Sequence, residues 1–300
     1  MKNNISSEIM LSILIVNFNG KDFLGPCFDS IRKHITVPYE IIVVDNASHD
    51  GSVKHIREYY HEINLIISEV NLGFSAGNNL AARSAKGNYF LLLNNDTLLL
   101  SDLKSAVALL SSDPSIGVLG CSQVGSANEY RYSTGHFPSP LRLLFFSTIF
   151  NRDGPFKNGD FPLGNKTLYD VDWVEGSFIL TRSELWQSLG GMDEGYFMYV
   201  EDIDYCKRVH DSGFRVVYFP FLSFLHYGGY SSCRLAMLIN GFRRYHKKFS
   251  NGIVQLSANF ILMFGLILKS AVYALISLVH GNGIGVKSLS CLKALKDSHW

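Results

Sequence analysis

Short apolar runs alternate with amphipathic stretches along most of this chain. LSILIVNFN (11–19), EIIVVDN (40–46), INLIISE (63–69), Tyr89–Leu93 and GVLGCSQVG (117–125) each read as a strand. Between them, Phe23–His34 places Leu24, Cys27, Phe28 and Ile31 on one helical face, and Ser52–Tyr60 reads as a second helix. Ala76–Ala85 is a small-residue helix stopped by Gly87, and Ser101 stands where a cap would open a helix through Ser111. Residues 199–214 read as a short helix with Ile203, Cys206 and Val209 inward and Gly213 as its stop; VVYFPFLSFL (216–225) is a further apolar strand. The strands are near-continuous apolar runs, as strands covered on both faces should be. The pattern predicts an α/β fold with a mainly parallel sheet flanked by helices.

Polar clusters interrupt the pattern at three strand ends: Asn17–Asn19, Asp45–Asp50 and Asn94–Asp96. One polar strand end is only a turn, but three suggest a shared cleft, because such sheets bind ligands beyond the carboxyl ends of their strands. In FLLLNNDTLLL (90–100), alternation along a strand points Asn94 and Asp96 one way and Asn95 the other. One carboxylate there can hold a hard divalent cation against a diphosphate. Asn and Asp are equally at home in a plain turn. Asp45 can accept a hydrogen bond from a base or ribose, and Asp50 can do the same or cap the next helix. In NLGFSAGNN (71–79), Gly73 and Gly77 either let a ligand approach the backbone or form a tight strand-to-helix turn.

YVEDIDYCKRVHDSGF (199–214) opens with Glu201, Asp202 and Asp204. Acids at a helix start are favoured by its dipole. The adjacent Glu201–Asp202 pair, beside Tyr196, Phe197 and Tyr199, also suits a general base. His226 ends the apolar strand that precedes two glycines. GNGIGVKS (281–288) fails the spacing of both phosphate-loop patterns.

Composition narrows the classes. An apolar fraction of 47% in 300 residues suits a globular chain, and a net charge of +1 gives no general pull toward nucleic acid. The five cysteines form no C-x-x-C pair, which fits a reducing compartment. The first 20 residues lack the long apolar run and cleavage site of a secretory signal, so the body is expected in the cytoplasm.

The far end changes character. Residues 253–280, IVQLSANFILMFGLILKSAVYALISLVH, carry Lys269 as their one charge before His280. Arg243, Arg244, Lys247 and Lys248 precede them, and Lys287, Lys293 and Lys296 follow. The stretch is long enough to span a bilayer, although Lys269 is costly there. It could also lie in the interface near anionic head groups, or form a buried pair of core helices. The expected division is residues 1–230 and a helical, apolar, membrane-associated region 231–300. Residues 126–170 read as one long loop.

In order, VNFNG, VVDNASHDGS, NLGFSAGNN, LLLNNDT, WVEGSFILTRSEL, GGMDEGYFMYVEDIDYCKRV and HYGG resemble the family 2 inverting glycosyltransferases over roughly residues 10–230. They look most like the rhamnosyltransferase-type branch that builds O-antigen and other bacterial surface polysaccharides. The resemblance implies a GT-A fold with a nucleotide-sugar site and Mg²⁺ or Mn²⁺. Asp45 would bind the nucleoside, with Asn17 and Asn71 near it and Gly73, Asn94 and Asn95 lining the donor site. Asp96 would be the metal-binding acid and His226 a further ligand. Asp202 would be the catalytic base, with Glu201 assisting or holding the acceptor. The stricter motif has Asp where this chain has Asn94. The implied donor is dTDP-rhamnose, with UDP- or GDP-sugars as alternatives. The implied acceptor is a polyprenyl-diphosphate-linked glycan at the cytoplasmic face of the inner membrane. A nucleotide-sugar nucleotidyltransferase would need a Gly-rich basic loop where NFNGKDF stands. An inactive membrane-bound assembly subunit would not need Asp45, Asp96, Asp202 and His226 together.

Overall fold

Strand β1, Leu11–Asn17, is buried along almost its whole length. It pairs in parallel with β2 (Tyr39–Asn46) on one side and β4 (Tyr89–Leu93) on the other, and β3 (Asn64–Ser68) extends the parallel array beyond β2. Helices α1 (Lys21–His34), α2 (Ser52–Tyr59) and α3 (Gly73–Ala82) make the crossovers. The computed structural model describes residues 11–144, 168–228 and 234–280, with 293, 294 and 296. Parts of the 126–170 loop, the predicted boundary at residue 230, and residues 281–288 therefore lie outside the described residues.

After β4 come β5 (Thr97–Leu99), α4 (Lys104–Ser112), β6 (Ile116–Val124), β7 (Tyr130–Arg131), β8 (Thr134–Gly135) and α5 (Pro140–Leu144). Then follow β9 (Tyr169–Asp170), β10 (Trp173–Val174), β11 (Phe178–Arg182), α6 (Ser183–Ser188), α7 (Glu201–Asp211), β12 (Arg215–His226), α8 (Arg234–Phe249) and α9 (Gly252–His280). The main sheet runs β3-β2-β1-β4-β11-β6-β12-β5. β11 is antiparallel to both neighbours, β12 is parallel to β6, and β5 is antiparallel to β12. This is the mixed but mostly parallel sheet that the apolar runs predict.

Alternation assigns the two faces. Leu11, Ile13, Ile15, Val43 and Leu91 share a core with Leu24, Phe28 and Ile31 of α1, Ile56 of α2 and Leu110 of α4. On the other face, Val16 meets α3 at Gly77, Phe90 meets Trp186 of α6, and Thr181 bonds the Tyr205 hydroxyl of α7. Each fully buried Leu, Ile or Phe contributes about 1.5–3 kcal/mol. The sheet's centre thus gives rigid support to its polar strand ends.

Two helix starts differ from expectation. α3 opens at Gly73, three residues before Ala76, because Asn71 Oδ1 accepts the Gly73 N–H at 3.0 Å and turns the chain early. Ser101 does not cap α4: its hydroxyl accepts the Ser223 N–H, while Asp102 Oδ1 takes the Lys104 N–H.

The chain forms two compact units that do not divide at a single point. One contains Met1–His136, Asn151–Phe197 and Glu201–Gly228; the other contains Phe137–Phe150, Met198–Val200 and Gly229–Trp300. Within the second, α9 packs against α5 and α8, and Gly241 of α8 packs against Tyr199 and Val200.

Candidate active site

Asn17 is a node at the end of β1. Its Nδ2 donates to Asp45 Oδ2 at 2.8 Å and to Ser48 Oγ at 3.1 Å, and its Oδ1 accepts from Asn95 Nδ2 at 2.7 Å. Asp45 is 1% exposed, and its other oxygen takes the Ser48 N–H. One buried carboxylate therefore fixes the loop after β2 to the end of β1. Asp50 reaches outward from that loop. It accepts the Lys21 N–H at 2.8 Å and the Ser52 N–H at 3.0 Å. Burial works against its charge, but the Ser52 hydroxyl and these N–H groups outweigh it and hold Asp50 below its ordinary value. Asn19, Gly20, Lys21, Asp22, Phe23 and Asp50 line a cleft of about 260 Å³. A larger apolar hollow of about 440 Å³ lies between α4 and Phe219 and shares no residue with these carboxylates.

Beyond β4 the alternation persists through a turn. Asn94 Nδ2 lies 3.4 Å and Asp96 Oδ1 3.2 Å from His226 Nε2, while Asn95 turns the other way to Asn17. The apolar residues that follow explain how this is held. Thr97–Leu99 form β5, antiparallel to the end of β12, with His226 opposite Thr97. The Tyr227 N–H also donates to the Asp96 carbonyl at 3.1 Å. A register shift between Phe219 and Ser223, around Pro220, sets where β12 ends.

The donor set at this point is one carboxylate, one imidazole and one amide. Gln123 Nε2 is 3.0 Å from His226 Nδ1, so in this arrangement Nε2–H faces Asp96. Gln123 Oε1 is buried with no hydrogen-bond partner among the described residues. A half-turn of that amide would give Oε1 to Nδ1–H and leave the Nε2 lone pair facing Asp96, the tautomer a metal ligand needs. Burial pulls the His226 imidazole down. Its hydrogen bond to Asp96 and the charges of Glu175 and Asp96 outweigh this and hold it above its ordinary value. Among the described residues, no three His, Cys, Asp or Glu side chains cluster to hold an ion alone. Asp96 and His226 fit a divalent cation that draws its other ligands from water and a diphosphate.

The third group sits at the start of α7. Half-buried Asp202 accepts the Gly176 N–H at 2.9 Å through Oδ2 and the Ile203 N–H at 2.8 Å through Oδ1. The same 175–177 segment reaches β4, where the Asn94 N–H donates to the Ser177 carbonyl at 3.2 Å. Glu201 is buried, and its Oε2 has no partner among the described residues. Burial, then the charge of Asp202, push Glu201 well above its ordinary value. Burial also raises Asp202, with the backbone N–H groups of Gly176, Ile203 and Asp202 itself opposing it. The pair is thus pushed upward as a unit, with fewer hydrogen bonds opposing the shift at Glu201 than at Asp202.

The structure brings Asn17, Asp45 and Asn95 together, and separately Asn94, Asp96 and His226. Gly73 answers to the protein's own backbone: a Cβ there would lie 2.4 Å from the Phe197 carbonyl, and its φ is +81°. A Cβ on Gly77 would strike Val16 at 2.9 Å. Gly73 serves the tight strand-to-helix turn, and Gly77, inside α3, lets that helix pack closely on β1. The sequence reading missed Ser48, Gln123 and Gly176. Gln123 had a signal, as a polar residue near the end of an apolar strand; Gly176 acts through its backbone and had none.

A profile of glycosyl transferase family 2 matches residues 12–176. The chain is 29% identical over 232 residues to rhamnosyltransferase WbbL of Escherichia coli, covering 73% of this chain and 83% of that protein. It is 24% identical to the N-acetylglucosaminyl-diphospho-decaprenol L-rhamnosyltransferase of Mycobacterium tuberculosis, covering 75% and 78%. Among solved structures, the mannosyltransferase PcManGT of Pyrobaculum calidifontis, in complex with GDP-Man and Mn²⁺, superposes with a TM-score of 0.60 at 18% identity, covering 95% of this chain and 79% of that one. Residues 1–349 of TarS from S. aureus, in complex with UDP, superpose with a TM-score of 0.54 at 15% identity, covering 96% and 90%.

Proposed function

The chain belongs to glycosyl transferase family 2, and we propose that it is an inverting, divalent-metal-dependent transferase that moves a sugar from a nucleoside diphosphate to a hydroxyl of a lipid-linked glycan. Its fold is the GT-A arrangement of its structural neighbours. The single observation that carries the reading is the meeting of Asp96 and His226 at 3.2 Å on one strand end, with the 175–177 segment tying that end to Asp202.

The chemistry follows from charge. Asn17, Asp45 and Ser48 preorganise the loop on which Asp50 faces the nucleoside side of the cleft. Asp96 and His226 would hold Mg²⁺ or Mn²⁺, which when bound offsets charge on the departing diphosphate. Asp202 removes the proton of the acceptor hydroxyl, and that oxygen forms its bond to the anomeric carbon from the face opposite the diphosphate. The bond from the anomeric carbon to the diphosphate oxygen breaks, its electron pair leaves with the nucleoside diphosphate, and the centre inverts once. Asp202's burial suits this task, because a base too stable as an anion would not take the proton. Glu201, buried beside Asp202 with its Oε2 unpartnered among the described residues, is placed to assist that base or hold the acceptor.

The preferred donor is dTDP-rhamnose, supported by the relatives named rhamnosyltransferases. The preferred acceptor is a polyprenyl-diphosphate-linked glycan, supported by the decaprenol-linked substrate in the name of the mycobacterial relative. The enzyme would then work in surface-polysaccharide synthesis at the cytoplasmic face of the bacterial inner membrane, with residues 1–230 catalytic and 231–300 on the membrane.

Thermal-shift binding of dTDP, UDP and GDP, each with and without Mn²⁺, tests this without an acceptor. A metal-dependent rise with one nucleotide names the donor base. No rise with any of the three, in a folded sample, overturns the transferase reading.

A further inference from the structure

Helix α9 has its polarity reversed relative to a helix on the surface of a soluble protein. Ile253, Leu256, Phe260, Phe264, Ile267 and Leu268 are all exposed, with Leu256 at 71% and Phe260 at 61%. The opposite side, with Ala258, Leu262, Leu266 and Ser270, is packed inside its own unit, where α9 meets α5 and α8. Only 17% of the Gly252–Val272 window is buried, which argues against the core-helix reading.

Phase separates the remaining readings. Each residue turns the helix by about 100°. On that wheel Gln255, Asn259, Lys269 and Ser270 fall within an arc of about 100°, on the side that carries Ala258, Leu262 and Leu266, with Lys269 at its exposed edge. The exposed apolar residues centre roughly 180° from Lys269. Ser257 alone among these polar groups lies on the apolar side, and it satisfies its hydroxyl internally by donating to the Ile253 carbonyl at 2.8 Å. A lone spanning helix has no need to gather its polar residues on one side. Spanning would also draw in α8, which packs on α9 and carries Arg243, Arg244, Lys247 and Lys248. At 29 residues α9 is about 44 Å long, well over the ~30 Å hydrocarbon core.

We propose that α9 lies in the plane of an anionic phospholipid leaflet, with the Leu256–Phe260–Phe264–Ile267 face immersed and the polar arc turned back toward the protein. Charge complementarity selects the occupant. Residues 250 and 251 alone separate the basic end of α8 from α9, so exposed Arg244, Lys247 and Lys248 stand at the start of the immersed helix. Leu141 and Leu144 of α5, which packs on α9, are exposed as well. Lys269, an expensive residue for a spanning segment, carries no such cost in this orientation because it lies off the apolar face. The inference deepens the membrane association proposed above and is independent of the glycosyl-transfer chemistry.

The test is depth along the helix. Single cysteines replace Gln255, Leu256, Phe260, Phe264 or Ile267 in the full chain, with Cys233→Ser and Cys291→Ser, and carry an environment-sensitive fluorophore. The vesicles are phosphatidylcholine with about 30% phosphatidylglycerol, with lipid-borne quenchers at shallow or deep positions. The four face positions should shift to the blue and be quenched equally by the shallow probe, with Gln255 unchanged. A depth that rises to a maximum mid-helix would establish spanning and overturn the proposal. Blue-shifted labels without lipid, in a chain that sediments as an oligomer, would show a second copy on this face and overturn it as well. Omitting the anionic lipid should weaken vesicle binding at least tenfold; equal binding would remove the charge part. Phe260→Glu with Phe264→Glu should abolish vesicle binding while the metal-dependent nucleotide shift persists. Loss of that shift in the parent chain instead would count against the transferase reading alone.

Discussion

The backbone N–H of Gly176 donates to Asp202 Oδ2 at 2.9 Å, which anchors the start of α7 to the segment that also bonds the end of β4. An amide at this position keeps the Gly176 bond through its oxygen and gives up only the bond from the Ile203 N–H, within the first turn of α7. Asp202→Asn should therefore fold normally and bind nucleotide within about twofold of the parent, while kcat falls by about 10²–10⁴. Steady-state transfer alongside nucleotide binding checks both halves. A variant with full kcat would remove Asp202 as the base.

Glu201 gives a prediction with a definite sign. Its pKa is raised in the folded protein by burial and by Asp202, so above the ordinary carboxylate value the folded state holds a proton the unfolded state has released. Stability must then fall as pH rises from that value toward the raised one. Glu201→Gln abolishes this dependence. Its melting temperature should gain on the parent steadily as pH rises above the ordinary carboxylate value of about 4.3. Parallel melting curves across that range would mean that Glu201 titrates normally.

The Asp96–His226 pair should act as a unit. Asp96→Asn or His226→Gln should each weaken Mn²⁺-dependent nucleotide binding by about 10–100-fold, and the double variant should lose little more. Titrating Mn²⁺ against the thermal shift of each variant measures this. Additive losses would mean that the two residues do not share an ion.

Much of this arrangement was legible because strands announce themselves. The apolar runs before Asn17, Asp45 and Asn94 marked three strand ends, and alternation gave the opposed directions of Asn95 and Asp96. β5 was not legible as a strand. Thr97–Leu99 is too short to show a period, and its partner β12 lies more than 100 residues away, shaped by a bulge at Pro220. The early start of α3 depended on an Asn71 side chain, and the anchor of Asp202 on a glycine N–H. The left-handed backbone at Tyr199 and Val200 had no signal, since aromatic and β-branched residues avoid it.

His246 carries a separate acid sensitivity. It is 1% exposed in α8, its Nδ1 lies 2.8 Å from Ser250 Oγ, and its Nε2 has no partner among the described residues. Burial lowers its pKa to about 4. The unfolded chain therefore takes up a proton first as pH falls below about 6.5, and stability contributed by neutral His246 is lost from there down to about pH 4. His246→Gln should melt less steeply with acid over this range. An identical acid slope in both proteins would locate the sensitivity elsewhere.

Tyr199 and Val200 have φ of 71° and 74° and lead directly into Glu201 and Asp202. Such conformations cost on the order of 1–3 kcal/mol each and persist only where neighbours impose them. Gly241 of α8 is such a neighbour: a Cβ there would lie 2.7 Å from Val200 Cγ2 and 2.9 Å from the Tyr199 carbonyl. In an unconstrained helix, Gly→Ala stabilises by about 1 kcal/mol. Gly241→Ala should instead destabilise by about 1–3 kcal/mol, because the Tyr199 carbonyl is backbone and cannot rotate away. Gly241→Ser should reproduce the loss, since it places the same Cβ. A Gly241→Ala protein that melts higher than the parent would show that α8 does not hold this pair.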